Sequence, residues 1–322
     1  MHLVLHLLGL SFSVAVLVKS ADWFTEAAVD FARRFHVPEI VVGATIVSLA
    51  TTLPEFAVSF TAALGGHVDM AVGNAVGSTI CNIGLILGLC ALIAPMGIVR
   101  AGFLASGFEL LVLSATFSVL GYAFPEGSRW TGLVLIGCFL LYVILKVRTS
   151  FAHRHAALAA DEDDGHARLP LTKSALFFVG GAGGVVGGSR LMVFCGEHLA
   201  RALGVSELVI SLTFMAIGTS TPELVVSLTG IVKKRRALSI GNVIGANILN
   251  LAWVIGACSL ATELPFKRQV RFFDLPVMML LTLLLLVFGI TGHRLSRWEG
   301  TVLLGIYIAY VASVFLMFGA GN

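Results

Sequence analysis

The sequence predicts an all-α, polytopic membrane protein of about ten transmembrane helices in two inverted five-helix repeats. Three observations carry that expectation. Hydrophobic residues make up 57% of the chain and charged ones only 12%, with a mean hydropathy of +0.96, whereas soluble chains are roughly 25% charged. The apolar residues fall into runs long enough to cross a bilayer core of ~30 Å. Finally, the second half repeats the first without a gap, at a constant offset of 168 residues.

Taken in order, the expected spans are 3–32, 38–64, 69–95, 101–123, 130–148, 173–203, 207–231, 237–261, 272–291 and 299–319. The first could pass for a signal peptide, with Ser20 and Ala21 near a cleavage site. However, no Lys or Arg precedes its apolar run, and the offset gives it a counterpart around 180–203, so it reads as a retained helix. The organisation follows as a first repeat over 1–150, a linker over 151–171 and a second, inverted repeat over 172–322. The linker carries Asp161, Glu162, Asp163 and Asp164, which lack the glycine and alternating ligand spacing of a calcium loop and read as a solvated run.

Basic residues set the orientation. With the N-terminus outside, about fourteen Lys and Arg fall in inside loops against five outside (Arg129, Arg201, Lys267, Arg268 and Arg271). Both termini are expected to face out, with the 149–172 linker in the cytoplasm. The expected location is a prokaryotic inner membrane. The net charge of +3 gives no reason to expect a nucleic-acid partner. Lipid and inorganic cations are the expected partners, with no obligate protein partner and no cofactor. Five cysteines in apolar surroundings (Cys81, Cys90, Cys138, Cys195 and Cys258) read as small buried hydrophobes.

The repeat is clearest between 37–92 and 205–260, where roughly a third of aligned positions are identical. An odd number of spans separates the copies, so they face opposite ways, and substrate sites belong near the midplane where they meet. Each copy holds two polar signatures. Ala50-Thr51-Thr52-Leu53-Pro54-Glu55 matches Gly218-Thr219-Ser220-Thr221-Pro222-Glu223. The stretch from Gly73 and Asn74 through Gly77 to Asn82 matches that from Gly241 and Asn242 through Gly245 to Asn250.

Proline has no N–H and disfavours helical dihedrals just before it. Carbonyls near Ser48–Thr51 and 216–219 are therefore expected to be freed toward a cavity. An ionised Glu at the bilayer centre costs at least ~2.5 kcal/mol unless compensated. No Lys or Arg lies near Glu55 or Glu223 in these spans, so a bound cation is the expected counter-charge. Carbonyls, hydroxyls, amides and carboxylates together make the all-oxygen shell a hard cation such as Ca²⁺ prefers. A lone Pro-Glu pair could be a mere kink; its recurrence at aligned positions argues against that. Asn74 and Asn242 could bind a cation or hydrogen-bond between helices, and helix packing is preferred for both. Gly73, Gly77, Gly241 and Gly245, four apart in pairs, suggest close helix contact. Lys19 is expected to pair with Asp22, and Arg190 with a nearby acid. Glu109 and Glu197 are placed at the interface or on an access path. His67, His198 and His293 fall at span ends as capping or snorkelling residues. No metalloprotease helix, nucleophile elbow or phosphate loop occurs, so no enzyme is expected.

At these signatures the chain resembles the sodium/calcium exchanger branch of the cation/calcium antiporter superfamily, over nearly its whole length. The resemblance implies a cluster of central sites, one for Ca²⁺ and the others for Na⁺. Calcium would be held by Glu55, Glu223 and the carbonyls of Thr51 and Thr219. Sodium would involve Ser48, Thr52, Ser78 and Asn82 in one copy, and Ala216, Ser220 and Asn250 in the other. Alternating access would come from sliding of the first and sixth helices over the remaining bundle. Three positions depart from the family pattern: Thr79 replaces an Asn, Ala246 a Ser, and Asn250 an Asp found in many relatives. With one carboxylate fewer, exchange is expected to be nearer electroneutral. Protons could stand in for sodium, another divalent cation for calcium, and a channel or uniporter is the competing class.

Overall fold

The computed structural model describes residues 2–35, 37–159, 170–202, 216–292 and 294–318. Their helices are α1 (His2–Arg34), α2 (Glu39–Thr51), α3 (Leu53–Leu64), α4 (Val68–Ile93), α5 (Arg100–Ala123) and α6 (Arg129–Ala159), then α7 (Leu171–Ala202), α8 (Ala216–Thr219), α9 (Thr221–Val232), α10 (Arg236–Ala261), α11 (Val270–Thr291) and α12 (Arg297–Phe318). Eight are long and apolar enough to cross a membrane, and α2 with α3 makes a ninth span bent by 47°. The span expected at 207–231 is described only from Ala216, as α8 and α9. Helix α6 runs to Ala159, past the expected end of span five and into the linker. The acidic run at 161–164 and His293 lie outside the described residues, as do the side chains of Ala216 and Glu197.

Two helices form the centre. Within their most apolar windows α10 is 83% and α4 72% buried, against 28% for α1, 22% for α7 and 11% for α12. Loops segregate to two faces, as alternate crossing requires. On one, Arg235 pairs with Glu39 at 2.9 Å and a short antiparallel ladder joins Met96 to Leu295 and Gly97 to Arg294. On the other, Lys267 pairs with Asp69 at 2.8 Å and the Phe266 N–H donates to the Pro125 carbonyl at 2.8 Å.

Lipid supplies little hydrophobic drive between helices, so close packing of small residues and polar contacts hold the bundle. Gly241 and Gly245 of α10 lie against the backbone of α2, where any side chain would meet the Ile40 and Ala44 carbonyls and the Ser48 hydroxyl. By the repeat, the neighbours of Gly73 and Gly77 fall within 208–216, mostly outside the described residues. Helices α1 and α7 pack antiparallel along their lengths: Ser20 abuts Gly184, and the Ser174 hydroxyl donates to Asp30 at 2.6 Å. With α2, α9 and Leu238 of α10 they form a second apolar cluster. Lys19 pairs with Asp22 as expected, at 3.9 Å, and Lys233, at the end of α9, also reaches Asp22, at 2.6 Å. Glu109 is not a free interfacial group either: Lys146, almost fully buried, pairs with it at 2.5 Å and donates to Ser106 at 2.9 Å. The neighbouring Tyr142 hydroxyl donates to the Ala44 carbonyl. All five cysteines are free, and all but the half-buried Cys138 are buried, as expected of small apolar fillers.

Candidate functional site

Both expected helix breaks are present. Thr52 (φ −80°, ψ −5°) separates α2 from α3, and Ser220 (φ −86°, ψ 6°) separates α8 from α9. These dihedrals lie in the bridge region, a sparsely allowed conformation common at functional residues. Proline follows two residues later in each copy, so the Ala50 and Gly218 carbonyls cannot receive the usual helical N–H. One detail is corrected: the Ser48 carbonyl is not freed, because it accepts the Thr52 N–H at 2.8 Å. The bond spans the break rather than opening at it.

Each break puts a glutamate in the first turn of the following half-helix. Glu55 and Glu223 are both fully buried and lie within each other's electrostatic reach. No Lys or Arg pairs with either among the described residues. The Thr52 hydroxyl donates to Glu223 Oε1 at 3.3 Å, and Thr51 also lies beside that carboxylate. Neither oxygen of Glu55 accepts a well-formed hydrogen bond from the described residues, although the Ser220 hydroxyl lies close.

Around the pair runs a crossed set of bonds that obeys the repeat. The Thr51 hydroxyl donates to Asn242 Oδ1 at 3.2 Å, and the Asn242 amide donates to Ser227 at 3.2 Å. In the opposite sense, the Thr219 hydroxyl donates to Asn74 Oδ1 at 3.1 Å and the Asn74 amide to Ser59 at 2.9 Å. Each threonine of one repeat thus bonds an asparagine of the other. Asn74 and Asn242 are spent on helix contacts, as preferred from the sequence.

The second signature adds the remaining polar groups. Asn82 and Asn250 are fully buried, and each sits at the start of a π-helical stretch, Asn82–Leu87 or Leu249–Val254. Such wide turns favour functional sites, because they displace backbone groups from the regular ladder. Asn82 donates to Asn247 Oδ1 at 2.9 Å, whereas both polar atoms of the Asn250 side chain have no partner among the described residues. Asn247 is the residue sequence reasoning missed. Its aligned position in the first repeat is Thr79, whose hydroxyl turns back to the Ala75 carbonyl at 2.9 Å, so the repeat gave no signal. Ser78 accepts the Ser220 hydroxyl at 3.1 Å. Ser48 is buried, donates to the Thr45 carbonyl at 3.0 Å and packs against Gly245. Ala216 opens α8.

Five buried side-chain oxygens here lack a donor among the described residues: both of Glu55, one of Glu223, and those of Asn82 and Asn250. Each orphaned buried polar atom costs about 1–3 kcal/mol, more when charged. A hard cation recovers that cost, since Ca²⁺ takes about 6–8 oxygens from flexible mixtures of carboxylate, amide and carbonyl. No cluster of three or more His, Cys, Asp or Glu occurs among the described residues, so the donor set is not that of a resident zinc site.

Comparison with known proteins identifies the family. A family model described as sodium/calcium exchanger protein matches residues 5–148 and 173–316, both repeats without the linker. The chain is 32% identical over 350 aligned positions to sodium/calcium exchanger MaX1 of Methanosarcina acetivorans, covering 96% of this chain and 97% of that protein. Inner membrane protein YrbG of Escherichia coli is 33% identical over 310 positions, covering 93% and 94%. A solved structure of the sodium-calcium exchanger NCX_Mj, soaked with zero Na⁺ and Ca²⁺, superposes with a TM-score of 0.83 at 31% identity, covering 97% of this chain and 99% of that one.

Proposed function

This chain belongs to the sodium/calcium exchanger family, and from that membership we propose that it is a secondary-active antiporter moving Ca²⁺ against Na⁺ through a midplane site built on Glu55 and Glu223. The observation that carries the site is the pair of buried glutamates, one from each repeat, with no basic partner and a surplus of undonated oxygens around them. Glu55, Glu223 and the carbonyls of Thr51 and Thr219 hold calcium in this reading. Ser48, Thr52, Ser78, Asn82, Ser220, Asn250 and the Ala216 backbone serve sodium. Asn247 supports Asn82 from behind. Because two carboxylates balance one Ca²⁺ or two monovalent ions, exchange runs close to electroneutral.

The bias of basic residues supports termini outside and a cytoplasmic linker, and the prokaryotic relatives support an inner membrane. Movement of α1 and α7 over the bundle exposes the site alternately, consistent with their peripheral position. The test is ⁴⁵Ca²⁺ uptake into proteoliposomes under imposed Na⁺ or H⁺ gradients. Uptake should follow an outward Na⁺ gradient and disappear in Glu55→Gln and Glu223→Gln. Uptake that needs no opposing ion gradient would indicate a channel, and uptake retained in both variants would remove the site.

A further inference from the structure

We propose that His6 and His198 form a metal site for a borderline transition ion, Zn²⁺ or Ni²⁺, which clasps α1 to α7 at the end carrying the N-terminus. The two rings come from different helices, with centroids 4.7 Å apart and planes inclined by 39°. Two imidazoles on one tetrahedral zinc, each nitrogen ~2.0–2.1 Å from the ion, bring their ring centres to about 5 Å. The pair already stands near that separation.

The protonation pattern of one ring is also set. His198 Nδ1 lies 2.8 Å from the Phe194 carbonyl. A carbonyl only accepts, so Nδ1 carries the hydrogen and the neutral ring presents its Nε2 lone pair. This second bond to a backbone oxygen is the arrangement that fixes metal-binding histidines. Phe194 backs both rings, at 4.3 Å from His198 and 6.0 Å, edge-on, from His6. His198 is exposed and His6 half-buried, at the ends of their apolar spans, so an aqueous ion has access. Calcium and sodium prefer oxygen and pass this site by; imidazole selects zinc, nickel or copper.

The repeat explains what the site is for. The offset of 168 residues carries His6 onto Ser174 and Asp30 onto His198. At the opposite end of the same helix pair, those two equivalents make the 2.6 Å hydrogen bond already described. One end of the α1–α7 pair is therefore closed by a permanent bond, and the symmetry-related place at the other end holds two imidazoles that an ion can join. If these helices move during transport, the metal acts as a brake.

The experiment is calorimetric titration of the purified chain with Zn²⁺, paired with Ca²⁺ uptake in proteoliposomes with and without external Zn²⁺. One zinc per chain is expected, weakened about tenfold or more in His6→Gln and His198→Gln, since loss of a direct ligand costs at least as much as loss of an outer partner. Both variants should transport calcium normally and escape zinc inhibition. Equal zinc affinity in all three proteins, or inhibition that persists in both variants and so acts at the glutamates, would overturn the site. Because binding is read without transport, its failure is separate from failure of the antiport reading.

Discussion

The two repeats share a backbone plan yet differ at aligned pairs close to the glutamates, among them Thr52 with Ser220, Ser78 with Ala246, and Thr79 with Asn247. In the first repeat Ser78 draws the Ser220 hydroxyl away at 3.1 Å, leaving Glu55 without a well-formed donor. Its counterpart Ala246 offers Thr52 nothing, so that hydroxyl turns to Glu223 at 3.3 Å. Asn247 occupies the Asn82 amide, while Thr79 bonds its own helix and leaves Asn250 unpartnered. The break, the proline and the carboxylate are set by the backbone and appear twice. The hydrogen bonds around them are set by single side chains and appear once. A symmetric frame thus holds an asymmetric set of contacts, in which Glu55 and Asn250 are the least compensated polar groups among the described residues.

The largest effect tests the shared part. Glu55→Gln and Glu223→Gln should each lower calcium uptake roughly a hundredfold or more, since removing one partner of a buried charge contact costs about 3–5 kcal/mol. A defect confined to one of them would break the equivalence of the repeats. Gly245→Ala probes the frame. Its methyl group would press on the Ala44 carbonyl and Ser48 hydroxyl, and overpacking of this kind costs about 1–3 kcal/mol. A thermal melt in detergent should fall, and Gly77→Ala should do the same if the first repeat packs alike.

Asn250→Asp and Asn82→Asp separate the unpartnered amide from the paired one. Adding a carboxylate at 250 should make exchange voltage-dependent, because one elementary charge across 100 mV is worth about 2.3 kcal/mol. At 82 the same change also removes the donor to Asn247, so lower stability should accompany it. Strong voltage dependence in the unaltered protein would contradict the electroneutral reading. The smallest effect is expected from Ala246→Ser, which supplies the hydroxyl missing from the second repeat. The sodium concentration for half-maximal exchange should fall a fewfold, about 1 kcal/mol for one hydrogen-bonding group, with calcium affinity little changed.

Spans were legible because a bilayer demands long apolar runs, and the Glu pair because an expensive residue recurs beside the same proline. What stayed hidden depends on helix rotation and depth rather than on periodicity. Nothing in spans four and five announces that Lys146 meets Glu109, since Lys146 reads as one of the inside-loop basic residues and Glu109 as an interface or access-path charge. The pairing of Asn82 with Asn247 was masked because alignment compares 247 with Thr79, not with the residue it touches. Freed carbonyls were anticipated from Pro54, but the Ser48 carbonyl stays bonded, because Thr52 keeps near-helical dihedrals across the bend.

Glu55 and Glu223 each stand in the first turn of a half-helix, where aligned peptide dipoles leave about half a positive charge. That charge stabilises an ionised carboxylate between passengers and opposes any metal drawn to it. An ion held this way has a shortened dwell time, because the scaffold already does part of the neutralising. In the proposed mechanism, carboxylates at helix starts therefore trade grip for turnover, as a carrier that must let go of its cargo requires.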